Sequence, residues 1–172
     1  PLNKEKLLEI LSNQNITNNK EELELLLRLI TKITKNHHRT KKFFYKIEQI
    51  LLYIKNEIKQ TFSNSEIFNL FKNNKLILLY VIENDIIEID ESIARNIFKK
   101  RSSNYVQFFL PEIKSFIKPE KVKQIEKELL DMDENIFSNF SEKRKNGENE
   151  NYICQLIRND SIEEFVVYVN KN

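Results

Sequence analysis

Apolar residues recur at three- and four-residue spacing along almost the whole chain. This period places the apolar side chains on one face of an α-helix, whereas a half-buried strand would show strict alternation. The 172 residues include one glycine and three prolines, so few positions interrupt the pattern. The sequence therefore predicts an all-α protein of about eight to ten helices, packed as antiparallel pairs in the manner of a helical repeat.

Cap signals mark where these helices should begin. Ser63 stands three residues before Glu66, which is the spacing of a capping box. The longest helix is expected over 41–60, and its broad apolar face predicts the core of the first half. The residues that stand before the expected helices are Asn19, Thr40, Ser63 and Asp90.

The stretch 75–82 is the segment most able to contradict the all-α prediction, because all but its first residue are apolar or aromatic. A run this short fits a buried strand as well as a helix by its periodicity. A lone strand would leave its backbone groups unpaired, and no partner strand is visible in the sequence. We therefore expect a helix here.

Residues 150–170 contain two apolar stripes separated by a turn at Asn159-Asp160. Ser161 stands in capping-box spacing to Glu164, which marks the start of the second helix. Short helices that are apolar on one side need neighbours stacked against them, as in a solenoid. We expect Phe165 to be buried against preceding helices. The two stripes consist of Ile153, Leu156 and Ile157, and of Ile162, Phe165, Val166 and Val169.

This terminal pattern resembles the helix pair of an ankyrin repeat. In that family the first helix ends at Gly-Asp or Gly-His, and the second follows as Leu-Glu-x-Val-x-x-Leu-Leu. The Thr-Pro-Leu-His element and the turn glycine are missing here, so the resemblance is to a degenerate or opening repeat. The residues that take the family's positions are Asp160, Ile162, Glu163, Phe165, Tyr168 and Val169.

The stretch before this pair carries a second resemblance. Segments 36–39, 61–68 and 109–113 are similar to those of uncharacterised helical regions that precede ankyrin repeats in large protist protein families. The two resemblances imply a helical N-terminal domain over 1–146 and a first ankyrin-like helix pair over 147–172, packed on the preceding helices. Because the chain ends where a next repeat would begin, we expect it to be a piece cut before further repeats.

An internal echo relates the two halves of the chain. Residues 82–88 match residues 157–163 at five of seven positions, at a separation of 75 residues. The echo indicates a second helix-turn-helix unit, in which Asp90 caps a helix over 92–101. The separation is too long for two regular ankyrin units of about 33 residues. The first half is therefore predicted to be repeat-like without being an ankyrin array.

Composition removes several classes of function. One glycine cannot build a phosphate-cradling loop, which excludes Walker and Rossmann sites. The single cysteine, Cys154, cannot form an intramolecular disulfide and favours a reducing, cytoplasmic setting. No apolar run approaches the roughly 20 residues of a membrane span, so we expect no membrane partner.

No residue constellation predicts catalysis or a cofactor. His37 and His38 are adjacent, so on a helix their side chains diverge by roughly 100° and make a poor metal site. Cys154 lies between apolar residues and fits a small buried side chain better than a nucleophile. Paired carboxylates such as Glu21-Glu22 fit solvated helix faces. We expect a protein that is not an enzyme and that binds no cofactor or metal.

The predicted function is a non-catalytic protein–protein interaction module that caps and leads into an ankyrin array, with a protein partner the sequence does not identify. The alternative is a nucleic-acid-associated helical protein, because aromatic residues lie beside the basic clusters. Dispersed acidic residues disfavour that alternative, and oligomeric state is left open. The basic residues are Lys41, Lys42, Lys46, Lys99, Lys100, Arg101, Lys143, Arg144 and Lys145, and the aromatic residues are Phe43, Phe44, Tyr45, Phe98 and Tyr105.

Overall fold

The computed structural model describes residues 19–36, 41–100, 102–132, 137, 140–146, 156 and 161–171. Throughout these residues the regular structure is helical, and none of them forms a strand. The all-α prediction is confirmed. The stretch 75–82 lies in a helix, and Asn19, Ser63 and Asp90 stand directly before helices as expected.

Eleven α-helical segments are described, and they form nine continuous stretches because Ile54 alone separates α2 from α3 and Phe109 alone separates α7 from α8. A 3₁₀ turn, Lys114–Phe116, follows α8. The segments are α1 (Lys20–Asn36), α2 (Lys41–Tyr53), α3 (Lys55–Thr61), α4 (Asn64–Phe71), α5 (Lys75–Glu83), α6 (Glu91–Lys100), α7 (Ser103–Phe108), α8 (Leu110–Ile113), α9 (Pro119–Met132), α10 (Phe140–Asn146) and α11 (Ile162–Lys171).

The chain divides into two compact units, Pro1–Lys127 and Glu128–Asn172. The division falls within α9. The boundary predicted between 146 and 147 lies at the end of α10 inside the second unit, and it stays a prediction.

The centre of the first unit is α4, which packs against α1, α5 and α6. Its buried residues, Ile67, Phe68, Leu70 and Phe71, cover about half of the helix circumference, so one short helix contacts three neighbours. The long helix expected over 41–60 also buries its apolar face, but it is broken at Ile54, which has φ −98° and ψ 16°. Thr40, its expected cap, lies outside the described residues.

The starts of α1 and α4 are joined through Glu66. The predicted capping box is present: Ser63 Oγ accepts from the Glu66 N–H at 3.4 Å, and Glu66 Oε2 accepts from the Ser63 N–H at 2.8 Å. Lys20 Nζ, at the first residue of α1, donates to Glu66 Oε1 at 2.8 Å. The hydrogen bond from Lys20 makes the largest contribution to lowering the pKa of Glu66 to about 2, and the hydrogen bonds from Ser63 contribute next.

Glu66 is expected to make the stability of the chain depend on pH in the acid range. Its pKa is about 2 in the folded chain and ordinarily 4.5, so its contribution is complete above pH 4.5 and is lost as pH falls toward 2. Denaturant titrations of the wild type and of Glu66→Gln between pH 2 and 6 measure this. The difference in unfolding free energy should shrink as pH falls through that window, and a difference independent of pH would contradict the assignment.

The α5 helix ends in a turn around Asp85, whose φ of +52° is left-handed. The Ile86 N–H donates to the Val81 carbonyl at 2.9 Å, and the Asp85 N–H donates to the Ile82 carbonyl at 3.0 Å. These two bonds form the Schellman pattern, in which the left-handed position usually holds glycine. An aspartate fills that position here, which explains how a chain with so little glycine ends this helix.

Two lysines of α3 donate hydrogen bonds to carbonyl groups of the same turn. Lys55 Nζ donates to the Asn84 carbonyl at 2.6 Å, and Lys59 Nζ donates to the Asp85 carbonyl at 3.0 Å. Ammonium groups at these carbonyls also face the negative end of the α5 dipole, which is a favourable arrangement. The two contacts tie α3 to the end of α5.

Candidate functional site

The residues considered for metal or nucleophilic chemistry fall largely outside the described part of the chain. His37, His38 and Cys154 all lie in undescribed segments. Within the described ranges, no three His, Cys, Asp or Glu side chains are grouped so that they could hold a metal ion. None of the described helices combines the length and the apolar character needed to cross a bilayer.

Among the described residues, the basic clusters do not lie beside a group of exposed aromatic side chains. Lys46, Lys99 and Lys145 are exposed, whereas the Arg144 side chain is buried. Arg101 lies outside the described residues, and the side chains of residues 41, 42, 100 and 143 are not described.

Of the five aromatic side chains beside these clusters, Tyr45 is the one that is exposed, at 59%. Phe43 and Phe44 are partly buried and meet edge to face, with ring centroids 5.8 Å apart. Phe98 is also partly buried, and Tyr105 is buried with its hydroxyl donating to the Lys72 carbonyl at 2.8 Å. Base stacking needs several open rings on one face. These aromatic residues therefore serve mainly to pack the first unit.

The C-terminal helix α11 presents an open apolar stripe. Ile162 is 65% exposed, Val166 is 49% exposed and Val169 is 52% exposed, and their spacing places them on one side of the helix. Phe165 belongs to the same stripe and is only partly buried. Exposed apolar residues that are contiguous on one face, rather than scattered, mark interaction surfaces. We refer to Ile162, Phe165, Val166 and Val169 as the α11 stripe.

Phe165 is partly buried, so the expectation that it is buried against preceding helices is not confirmed and stays a prediction. Helical spacing establishes which residues share a face, but it does not establish that a neighbour covers that face. The described residues leave the α11 stripe largely open to solvent. Of the first helix of the expected pair, Leu156 alone is described; it is helical and buried.

The sequence echo corresponds to a repeated backbone turn. The Ser161 N–H donates to the Leu156 carbonyl at 2.9 Å, as the Ile86 N–H donates to the Val81 carbonyl at 2.9 Å. Each bond joins residues five positions apart. The two donors, Ile86 and Ser161, are 75 residues apart, and so are the two acceptors, Val81 and Leu156, which is the separation of the echo. Val81 and Leu156 are both buried. A five-residue backbone hydrogen bond therefore occurs twice in the chain, at positions related by the echo.

A second open apolar face, which the sequence analysis did not identify, lies on α1. Leu25 is 69% exposed and Leu29 is 50% exposed, while Leu23 and Leu27 on the opposite side are fully buried. The signal was present in the sequence as leucines on both sides of one helix.

Comparisons with family models, with curated proteins and with solved structures give no match for this chain. The exposed faces of α1 and α11 are therefore interpreted from their own geometry.

Proposed function

We propose that this chain is a non-catalytic interaction module, a helical region that leads into an ankyrin array and stacks a further repeat on α11. The single observation that carries the proposal is the α11 stripe, three residues of which are about half exposed or more. A terminal solenoid helix needs such a face, because each repeat buries its apolar side against the next one. The last repeat at the far end of an array would instead present a polar outer face to solvent.

The turn before α11 supports the same proposal. The five-residue hydrogen bond from Ser161 to the helical residue Leu156 lies directly before α11, which begins at Ile162. A short turn of this kind sets two successive helices in a hairpin, the arrangement that an ankyrin repeat uses. The ankyrin resemblance supplies the identity of the repeat that would follow, and the cytoplasmic, protein-binding context that goes with it.

Fusing two consensus ankyrin repeats after Asn172 tests the proposal. Covering the α11 stripe should add about 2 kcal/mol of stabilisation to α11, which slows amide hydrogen exchange in this helix by roughly thirtyfold. Hydrogen-exchange mass spectrometry of the fused and unfused chains measures the change. The spectra also report whether the added repeats are themselves folded.

A matched pair of substitutions makes the test specific. Val166→Asp places a charge in the stripe and should abolish the protection gained on fusion. Val167→Asp changes an equally exposed valine, 51% against 49%, on another side of α11 and should leave the gain intact. Folded repeats that leave exchange in α11 unchanged, or equal effects of the two substitutions, would contradict the proposal.

A further inference from the structure

The first helix, α1, is apolar on two opposite sides. Its inner side consists of Leu23, Leu27 and Ile30, which are at most 3% exposed, and α1 packs against α4. Its outer side contains Leu25 and Leu29, which are 69% and 50% exposed. The ion pair from Lys20 to Glu66 joins the start of α1 to the start of α4.

The outer leucines belong to a four-residue seam. Glu22, Leu25, Leu29 and Lys32 follow one another at spacings of three, four and three residues, which is the heptad spacing of a coiled-coil contact. All four side chains are exposed. The seam therefore has an apolar centre, an acidic residue at its N-terminal end and a basic residue at its C-terminal end.

This seam is complementary to itself when it is reversed. The midpoint between Leu25 and Leu29 is residue Leu27, and the midpoint between Glu22 and Lys32 is the same residue. One two-fold axis at that level sets each leucine against the other leucine of a second copy and each charge against its opposite. A two-fold interface requires a self-complementary patch of this kind.

We propose that the outer face of α1 binds a second copy of this chain as an antiparallel helix pair. In the dimer, Leu25 packs on Leu29 of the second copy, and Glu22 pairs with Lys32 of the second copy. A parallel pair would instead place Glu22 against Glu22 and Lys32 against Lys32, which charge repulsion disfavours. This inference does not depend on the proposed stacking at α11.

The size of the seam sets the strength of the dimer. Two leucine layers on a 17-residue helix bury less surface than a standard stable interface. The apolar residues Leu26 and Ile33 beside the seam are partly exposed and widen it modestly. We expect reversible association with a dissociation constant on the order of 10–100 µM, weakened by added salt because its two ion pairs are exposed.

Charge reversal tests the register. Sedimentation velocity of the full chain from 5 µM to 1 mM should show a monomer–dimer equilibrium. Glu22→Lys and Lys32→Glu should each weaken self-association about tenfold, because each sets like charges against one another twice. The double variant should regain association, since it restores opposite charges at both pairs only in the antiparallel register. An equimolar mixture of the single variants should likewise form a heterodimer.

Leucine substitutions test the centre of the seam. Leu25→Ser should reduce self-association at least tenfold while the circular dichroism spectrum stays that of the wild type, because Leu25 is outside the core. Leu52→Ser, at another exposed leucine on α2, should leave association unchanged. A chain that stays monomeric at 1 mM, a dimer that persists in Leu25→Ser, or a double variant that fails to regain association would overturn the proposal.

Discussion

Replacing Phe68 with alanine should reduce the unfolding free energy by about 3–5 kcal/mol, the usual cost of removing a buried aromatic ring. Phe68 is 1% exposed and lies on α4, which contacts α1, α5 and α6. The cavity would open where these helices meet, and close packing leaves little room for neighbours to fill it. Domains are ordinarily stable by 5–15 kcal/mol, so this is a large part of the total.

Thermal and denaturant unfolding of the variant measure this cost, and the melting temperature should fall by roughly 10 °C. Phe116→Ala is the matched control, because the same ring is removed at a site that is 44% exposed. It should change the unfolding free energy by less than about 1 kcal/mol. Equal losses at Phe68 and Phe116 would show that α4 is not the centre of the first unit.

Features set by neighbouring residues in the sequence were predictable. The Ser63 capping box needs only Ser63 and Glu66, and the Asp90 cap is confirmed by the Ile93 N–H donating to Asp90 Oδ1 at 2.8 Å. The helix at α5 followed from the absence of a partner strand. Caps and periodicity act within one or two turns of chain, so the sequence carries this information directly.

Features set by distant contacts were not predictable. The break at Ile54 and the left-handed Asp85 lie in segments joined by Lys55 and Lys59, which bridge residues almost thirty positions apart in the chain. The openness of α11 likewise depends on what packs on it, so the apolar spacing around Phe165 did not reveal it. That the outer face of α1 and the α11 stripe are exposed could therefore be established only once the tertiary arrangement was known.

A buried hydrogen bond between a side chain of α1 and the residue that caps α5 is expected to have the second large effect on the unfolding free energy. Asn74 Nδ2 donates to Thr34 Oγ1 at 2.7 Å, and the Thr34 hydroxyl donates to the Ile30 carbonyl at 2.7 Å. Asn74 Oδ1 also accepts from the Ile77 N–H at 3.4 Å and caps α5. Thr34 is 1% exposed and Asn74 is 9% exposed. Neither partner can turn to water if the other is removed.

Thr34→Val is expected to lower the unfolding free energy by about 1–3 kcal/mol, although it preserves side-chain volume, because it leaves the Asn74 amide buried without its acceptor. Asn74→Ala should cost about as much, since it also removes the α5 cap. The double variant should cost about 1 kcal/mol less than the two single losses combined, because the amide that Thr34→Val strands is then absent. Thr31→Val is the control, because the Thr31 hydroxyl donates to the Leu27 carbonyl one turn back, and it should combine additively with Asn74→Ala. Additive losses in the Thr34 and Asn74 cycle, measured by denaturant unfolding, would mean that the hydrogen bond between them contributes nothing to joining α1 and α5.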